Sequence, residues 1–163
     1  LQAQHTLILC RKNVSLLDYC SRFPRSRVVQ GQQLAARLKM FVETEDDETD
    51  EEPADASHNH LKKFASKLSS SELVTLTEHL AAMDISLDQF SVQYQSALCT
   101  VHQAKGFECE HVALHPELHL QEGYDADDAE EVNIRYVAFS RHMHSLTLLS
   151  PPSRRRKRAS TSA

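Results

Sequence analysis

Apolar residues fall along this chain in two patterns, short continuous runs and spaced stripes. Thr6-Leu7-Ile8-Leu9-Cys10 is a continuous run, as expected of a strand buried on both faces. Val14–Cys20, with Leu16, Leu17 and Tyr19, predicts a helix that stops before Pro24. Arg27-Val28-Val29 predicts a short strand, and Gln32–Val42 a helix with Leu34, Leu38 and Phe41 at helical spacing. A short helix is expected over Leu61–Leu68. Ser69-Ser70-Ser71-Glu72 then has the form of a capping box, in which a serine oxygen and a glutamate satisfy orphan amides reciprocally. The helix it opens carries Leu73, Leu76, Leu80 and Met83 on one stripe. Ile85–Tyr94 reads as a helical or turn segment.

From Ala97 the pattern changes. Ala97-Leu98-Cys99 and His111-Val112-Ala113-Leu114 read as strands on either side of a polar loop, Thr100–Glu108. Pro116–Asp128 reads as loop. Glu130–His142 returns to helical spacing, with Val132, Tyr136 and Phe139 on one stripe and Ile134, Val137 and Ala138 beside it. A helix apolar over so much of its girth is expected to be well buried. Ser145–Leu149 is a last strand, closed by Pro151-Pro152. Alternating strands and helices predict an α/β domain with a mostly parallel sheet. The layout divides into 1–31, a helical insertion over 32–95, a second core segment over 96–150 and a tail over 151–163.

Composition changes this picture little. A chain of 163 residues has the length of one ordinary domain. No apolar run approaches the ~18 residues of a membrane span, and no secretory signal is visible. The start, Leu1-Gln2-Ala3-Gln4-His5, lacks an initiator Met; this suits a chain beginning within a longer protein, or an incomplete gene model. Four cysteines without a CxxC pair suit reduced, packed thiols of a cytosolic or nuclear protein.

Charge is more informative in its placement than in its sum. The net charge of −5 combines an acidic run over 43–55 with a basic run, Arg154-Arg155-Arg156-Lys157-Arg158. The acidic run is too polar to offset chain entropy and is expected to be disordered, as is the tail. The basic run reads as a nuclear localisation signal, a nonspecific nucleic-acid contact or a solvated terminus, the first being preferred.

Candidate chemistry lies in three places: Arg11-Lys12-Asn13 after the first strand, Thr100–Glu108, and Arg141 at the end of the last helix. Each has an ordinary reading. Lys105 and Glu108 can pair across a turn at little energetic gain, and an arginine favours the negative end of a helix dipole. His111, His115 and His119 have helical metal-ligand spacing, but Pro116 interrupts that helix, so no metal site is assigned. Asp47-Glu48-Thr49-Asp50 mimics an acidic metal-binding box, yet no apolar strand precedes it.

In order along the chain, the three segments resemble motifs IV, V and VI of superfamily 1 helicases of the UvrD/Rep type. The matching residues are the strand ending in Arg11-x-Asn13, then Thr100-x-His102-x-x-Lys105-Gly106-x-Glu108, then Tyr136-Val137-Ala138-x-Ser140-Arg141. The resemblance covers 5–20 and 97–150, and 30–95 by position alone. The short insertion is most similar to the eukaryotic F-box DNA helicase branch. Phe107, Cys109, Ser140 and His142-Met143-His144 depart from the family pattern.

The resemblance implies a second RecA-like domain in an ATP-dependent DNA helicase of 3′ to 5′ polarity. It implies that Arg11 and Arg141 reach the γ-phosphate of ATP as catalytic arginines. Glu108 would contact the ribose, with Lys105 and Gly106 beside it, and Thr100 and His102 would lie near single-stranded DNA. The chain contains no G-x-x-x-x-G-K-[ST] phosphate cradle. Mg2+ is therefore expected to be held mainly by an N-terminal, Walker-containing half, in the same longer chain or in trans. The alternative is a non-catalytic remnant acting as a nucleic-acid-binding or regulatory module.

Overall fold

A computed structural model describes residues 5–43, 56–93, 95–120 and 127–151. Most of the acidic run and of the basic tail, including Arg154–Arg158, lies outside the described residues.

The apolar runs become a six-stranded sheet in which every pairing is parallel. In chain order the strands are β1 Thr6–Cys10, β2 Arg27–Val29, β3 Asp84–Ile85, β4 Ser96–Thr100, β5 Cys109–Leu114 and β6 His142–Leu148. Their spatial order is β3-β2-β4-β1-β5-β6. Helices α1 Asn13–Arg22, α2 Gly31–Glu43, α3 Ala56–Ala65, α4 Ser70–Ala82, α5 Leu87–Gln93 and α6 Ala129–Phe139 connect them. The expected α/β class is observed, with a wholly parallel sheet among the described residues.

Strand alternation divides the core into two layers. Ile8, Cys10, Val28, Leu98 and Ala113 face Leu16, Leu38, Leu61 and Leu80 of α1 to α4. Leu7, Leu9, Val29, Ala97, Cys99, Val112 and Leu114 face the other way, against Phe90 of α5, Ile134 and Ala138 of α6, and Val101 and Ala104 of the turn after β4. Both faces are thus covered, which is why these strands read as continuous apolar runs. The segment read as a helical insertion supplies, with α1, one of these layers, and β3 within it joins the sheet edge.

Local chemistry sets the helix ends. Ser69 accepts from the Glu72 amide at 3.3 Å, while Glu72 accepts from the Ser69 amide at 2.8 Å, which completes the capping box. Asp128 caps α6, accepting from Glu130 and Glu131 amides at 2.9 and 3.3 Å. At the start of α2, a Cβ on Gly31 would collide with the Leu80 carbonyl and crowd Asp84. Gly31→Ala therefore must push α2 away from α4, and it is expected to lower stability by about 1–3 kcal/mol in urea denaturation.

Several elements differ from expectation. Helix α3 spans Ala56–Ala65 rather than Leu61–Leu68, and Asp84–Ile85 is a strand rather than the start of a helical or turn segment. The last strand begins at His142 rather than Ser145. Helix α6 buries only Ile134 and Ala138; Val132 and Phe139 are each 38% exposed and Tyr136 is 73% exposed. The apolar stripe exists, but no described element covers it.

All four cysteines are free and buried. Burial raises every one of these thiols, Cys20 to about 12. The folded state holds these protons where the unfolded chain releases them, so stability is expected to fall as pH rises above the ordinary thiol value near 9.0. A disulfide reagent at pH 8 should leave the native thiols largely unmodified and react with all four after denaturation.

Candidate nucleotide and nucleic-acid edges

Because the strands run parallel, the sheet has one edge where strands begin and one where they end. In open α/β sheets the ending edge is the usual ligand side. Here the site residues divide between the two.

The ending edge carries Arg11, Lys12, Asn13, Thr100 and His102, which line a cleft of about 650 Å³. The loop after β1 is tied down by two acids from distant parts of the chain. Glu117 accepts from the Arg11 backbone amide, from the Lys12 amide at 3.3 Å and from the Ser15 hydroxyl at 2.7 Å. It thereby satisfies orphan donors at the start of α1, where no side chain of the N-cap residue does so. Glu131 accepts from Arg11 Nε at 2.8 Å and from Arg135 Nε at 3.3 Å. The pairs are partly buried, so the Arg11 side chain is aimed rather than loosely solvated.

Thr100 is buried, and its hydroxyl accepts from the Gln103 amide at 3.4 Å. Gln103 in turn accepts from the Thr100 amide at 2.8 Å and donates to the Val29 carbonyl and the Gln30 side chain. Thr100 thus closes the turn, and His102 is the exposed side chain it presents.

The turn then crosses the sheet face. Bonds from the Ala104, Lys105 and Phe107 amides to the Thr100, His102 and Ala104 carbonyls fold it into successive tight turns. Val101 and Ala104 anchor it in the core, and Gly106 adopts φ 83°, a left-handed conformation that glycine reaches without strain. The register pairs Cys10 with Thr100 and Thr6 with His111. At about 3.3 Å per residue, Thr100 and Cys109 stand roughly 20 Å apart along the strands. Lys105, Gly106 and Glu108 are exposed, and Glu108 directly precedes β5 at the beginning edge.

Arg141 belongs to that beginning edge. Its carbonyl accepts from the Cys109 amide at 2.9 Å, directly after Glu108. Its guanidinium is held by the Val137 carbonyl at 3.1 Å and the Ser140 hydroxyl at 3.0 Å. The structure therefore sets the Glu108 and Arg141 backbones side by side at the beginning edge, while Arg11 leaves the sheet at the ending edge. Helix α6 rises about 1.5 Å per residue, which sets roughly 15 Å between the backbones of Glu131 and Arg141, and roughly 9 Å between Glu131 and the Val137 carbonyl that holds the Arg141 guanidinium. The physical reason is direction: Arg11 follows the end of its strand and Arg141 precedes the start of its own.

The histidines of the interrupted series have separate partners. His111 bonds the Ser145 hydroxyl, His115 accepts from the Glu117 amide and His119 bonds the Leu149 carbonyl. Burial lowers the His115 pKa, which matches its role as an acceptor packed on Tyr19. Glu117, Glu131 and Gln103 were not singled out from sequence. Only Glu131 left a signal there, as part of an acid pair near the start of the last helix.

A wholly parallel sheet with both faces covered and polar residues at both edges is a RecA-like α/β domain. The chain belongs to the UvrD-like helicase C-terminal domain family, whose profile matches residues 7–150. Comparison with curated protein sequences gave no match. The family supports a helicase-type function and interaction with nucleic acid. No helix among the described residues is long and apolar enough to cross a membrane.

Proposed function

We propose that this chain is the C-terminal half of an ATP-dependent DNA helicase, moving 3′ to 5′ on single-stranded DNA. An N-terminal half with a Walker cradle completes its ATP site. The carrying observation is the turn from Thr100 to Cys109, which presents His102 at one sheet edge and Glu108 at the other.

Glu108 and Arg141 form the nucleotide side. The residues fit that ligand: a planar guanidinium at the end of α6 suits γ-phosphoryl oxygens, and the exposed Glu108 carboxylate suits ribose hydroxyls. Gly106 keeps the backbone clear there, and Lys105 adds a cation. ATP supplies the phosphoryl chemistry, and Mg2+ is assigned mainly to the partner half. Arg141 swings from the Val137 carbonyl toward the phosphate as the halves close.

Arg11 belongs with Thr100 and His102 on the DNA side, which revises its assignment from motif order. The basic run Arg154–Arg158 supports a nuclear location for the protein. DNA-stimulated ATP hydrolysis by the chain joined to a Walker-containing half tests this function. Its absence, with DNA binding retained, would favour the non-catalytic binding module.

A further inference from the structure

Between β2 and α2 stands the one residue other than glycine with a positive φ among the described residues. Gln30 adopts φ 57°, the left-handed region, where a β-carbon crowds the following carbonyl. Gly, Asn and Asp reach that region readily; glutamine is not among them. The angle has a packing cause. The Gln30 amide donates to the Ile85 carbonyl at 3.3 Å, which continues the pairing of β2 with β3. The next residue, Gly31, already starts α2 against the Leu80 carbonyl, where no β-carbon fits. The chain must therefore turn within one residue. Glycine would make that turn without strain, so packing explains the angle and leaves the glutamine unexplained.

The side chain supplies the reason. Strands β2 and β4 are neighbours in the sheet, so the loops leaving their ends lie side by side. Gln30 Oε1 accepts from Gln103 Nε2 at 3.1 Å. The orientation of the Gln103 amide is forced by its other partners. Its Oε1 must face the Thr100 amide at 2.8 Å, and its Nε2 the Val29 carbonyl at 3.3 Å. Nε2 then has a second hydrogen to give, and only an oxygen can take it. Gln30 brings that oxygen from a different element, at the cost of a strained backbone.

We propose that Gln30 and Gln103 form a latch between the β2–α2 loop and the turn after β4, and that both are positioning residues for communication between the two sheet edges. This rests on the turn joining the nucleotide side to the nucleic-acid side. Gln103 directly follows the exposed His102. A loose Thr100 end would absorb a displacement of His102 by local movement. A latched end passes it along the tight turns to Gly106 and Glu108.

Two measurements test the latch. In the 163-residue chain, hydrogen exchange of the Ala104, Lys105 and Phe107 amides, which close the tight turns, reads its hold on them. Gln30→Gly is expected to speed that exchange about fivefold, the worth of one hydrogen bond. Its thermal midpoint should not fall, because relief of the strain offsets the lost bond and the freer unfolded chain. In the chain joined to its Walker-containing half, Gln30→Gly should lower the maximal stimulation of ATP turnover by DNA about fivefold and leave DNA-free turnover within about twofold. Gln30→Glu keeps the accepting oxygen. It should demand more DNA for half-saturation, since a carboxylate repels phosphates, and retain the maximal stimulation. Gln103→Glu loses both donated bonds and should behave as Gln30→Gly does, and the double variant should lose no more than either alone.

Unchanged exchange in Gln30→Gly would overturn the latch. Faster exchange with full DNA stimulation would leave a structural tie and overturn the positioning role. A lower midpoint together with lost DNA-free turnover would make Gln30 a fold contact and overturn it as well. So would a loss of maximal stimulation in Gln30→Glu as large as in Gln30→Gly, since the accepting oxygen would then be immaterial. Absence of DNA stimulation in the unaltered enzyme would overturn the proposed function itself, and the positioning role with it.

Discussion

Arg141→Ala is expected to lower ATP turnover by on the order of a thousandfold when the chain is joined to its Walker-containing half. In the transition state of phosphoryl transfer, negative charge spreads over the γ-phosphoryl oxygens, and an arginine finger contributes about 10³–10⁵ in rate. The proposed function gives Arg141 this role. Arg141 directly follows the Ser140 cap of α6, its carbonyl accepts from the amide after Glu108, and its guanidinium donates to the Val137 carbonyl and the Ser140 hydroxyl. Arg141→Lys should recover little, because an ammonium cannot reproduce the planar fork. The KM for ATP should change much less than kcat, since the interaction belongs to the transition state.

Arg11→Ala in the same enzyme gives the contrasting result. DNA-free turnover should stay within about twofold of the unaltered enzyme, whereas DNA stimulation and DNA affinity fall. The contrast follows from strand direction, since Arg11 follows the end of β1 and Arg141 precedes the start of β6. If Arg11→Ala depresses DNA-free turnover as much as Arg141→Ala does, both arginines act on one phosphate and the two-edge assignment fails. Unchanged turnover in Arg141→Ala would instead sink the motor reading.

The second large effect concerns the fold. Leu98→Ala is expected to cost about 4 kcal/mol, toward the upper part of the range of about 2–5 kcal/mol for buried leucines. Leu98 is fully buried in β4, paired with Ile8 on one side and Val28 on the other. Backbone ladders on both sides prevent the strands from collapsing into the space left behind. Set against a typical stability of about 5–15 kcal/mol, this is a large fraction. In urea the midpoint should fall without a change in slope. Val74→Ala, at an exposed helix position, should shift stability by less than about 0.5 kcal/mol. Similar losses in both variants would mean that this face of the sheet is loosely packed.

Legibility of the fold tracked burial. β1, β4 and β5 were readable because burial on both faces demands apolar residues at every position. The start of β6 was not, because His142-Met143-His144 lies on an edge strand with one side open to solvent. β3 contains only two residues, too few to show a period. Helix α6 showed its apolar stripe plainly, but periodicity reports which side chains are apolar and not whether anything covers them.

The site divides in the same way. Thr100, His102, Lys105, Gly106, Glu108 and Arg141 were singled out by resemblance to helicase motifs, as residues of one loop and one helix end. Glu117 and Glu131 were not, because each reaches Arg11 across more than a hundred residues of chain. No local pattern encodes such a contact.

By itself the sequence determined the α/β class, the capping box, the packed thiols and the order of the polar segments, all of which follow from local periodicity and side-chain chemistry. Only the tertiary structure decided which segments share an edge. Motif order places Arg11 and Arg141 in one series, but the strand order β3-β2-β4-β1-β5-β6 and the common strand direction put them at opposite ends of the sheet. The physical reason is that a strand has two ends about as far apart as its length. Which end a residue occupies in space is set by the hydrogen-bonded register with strands distant in sequence, and that register is absent from any single stretch of chain.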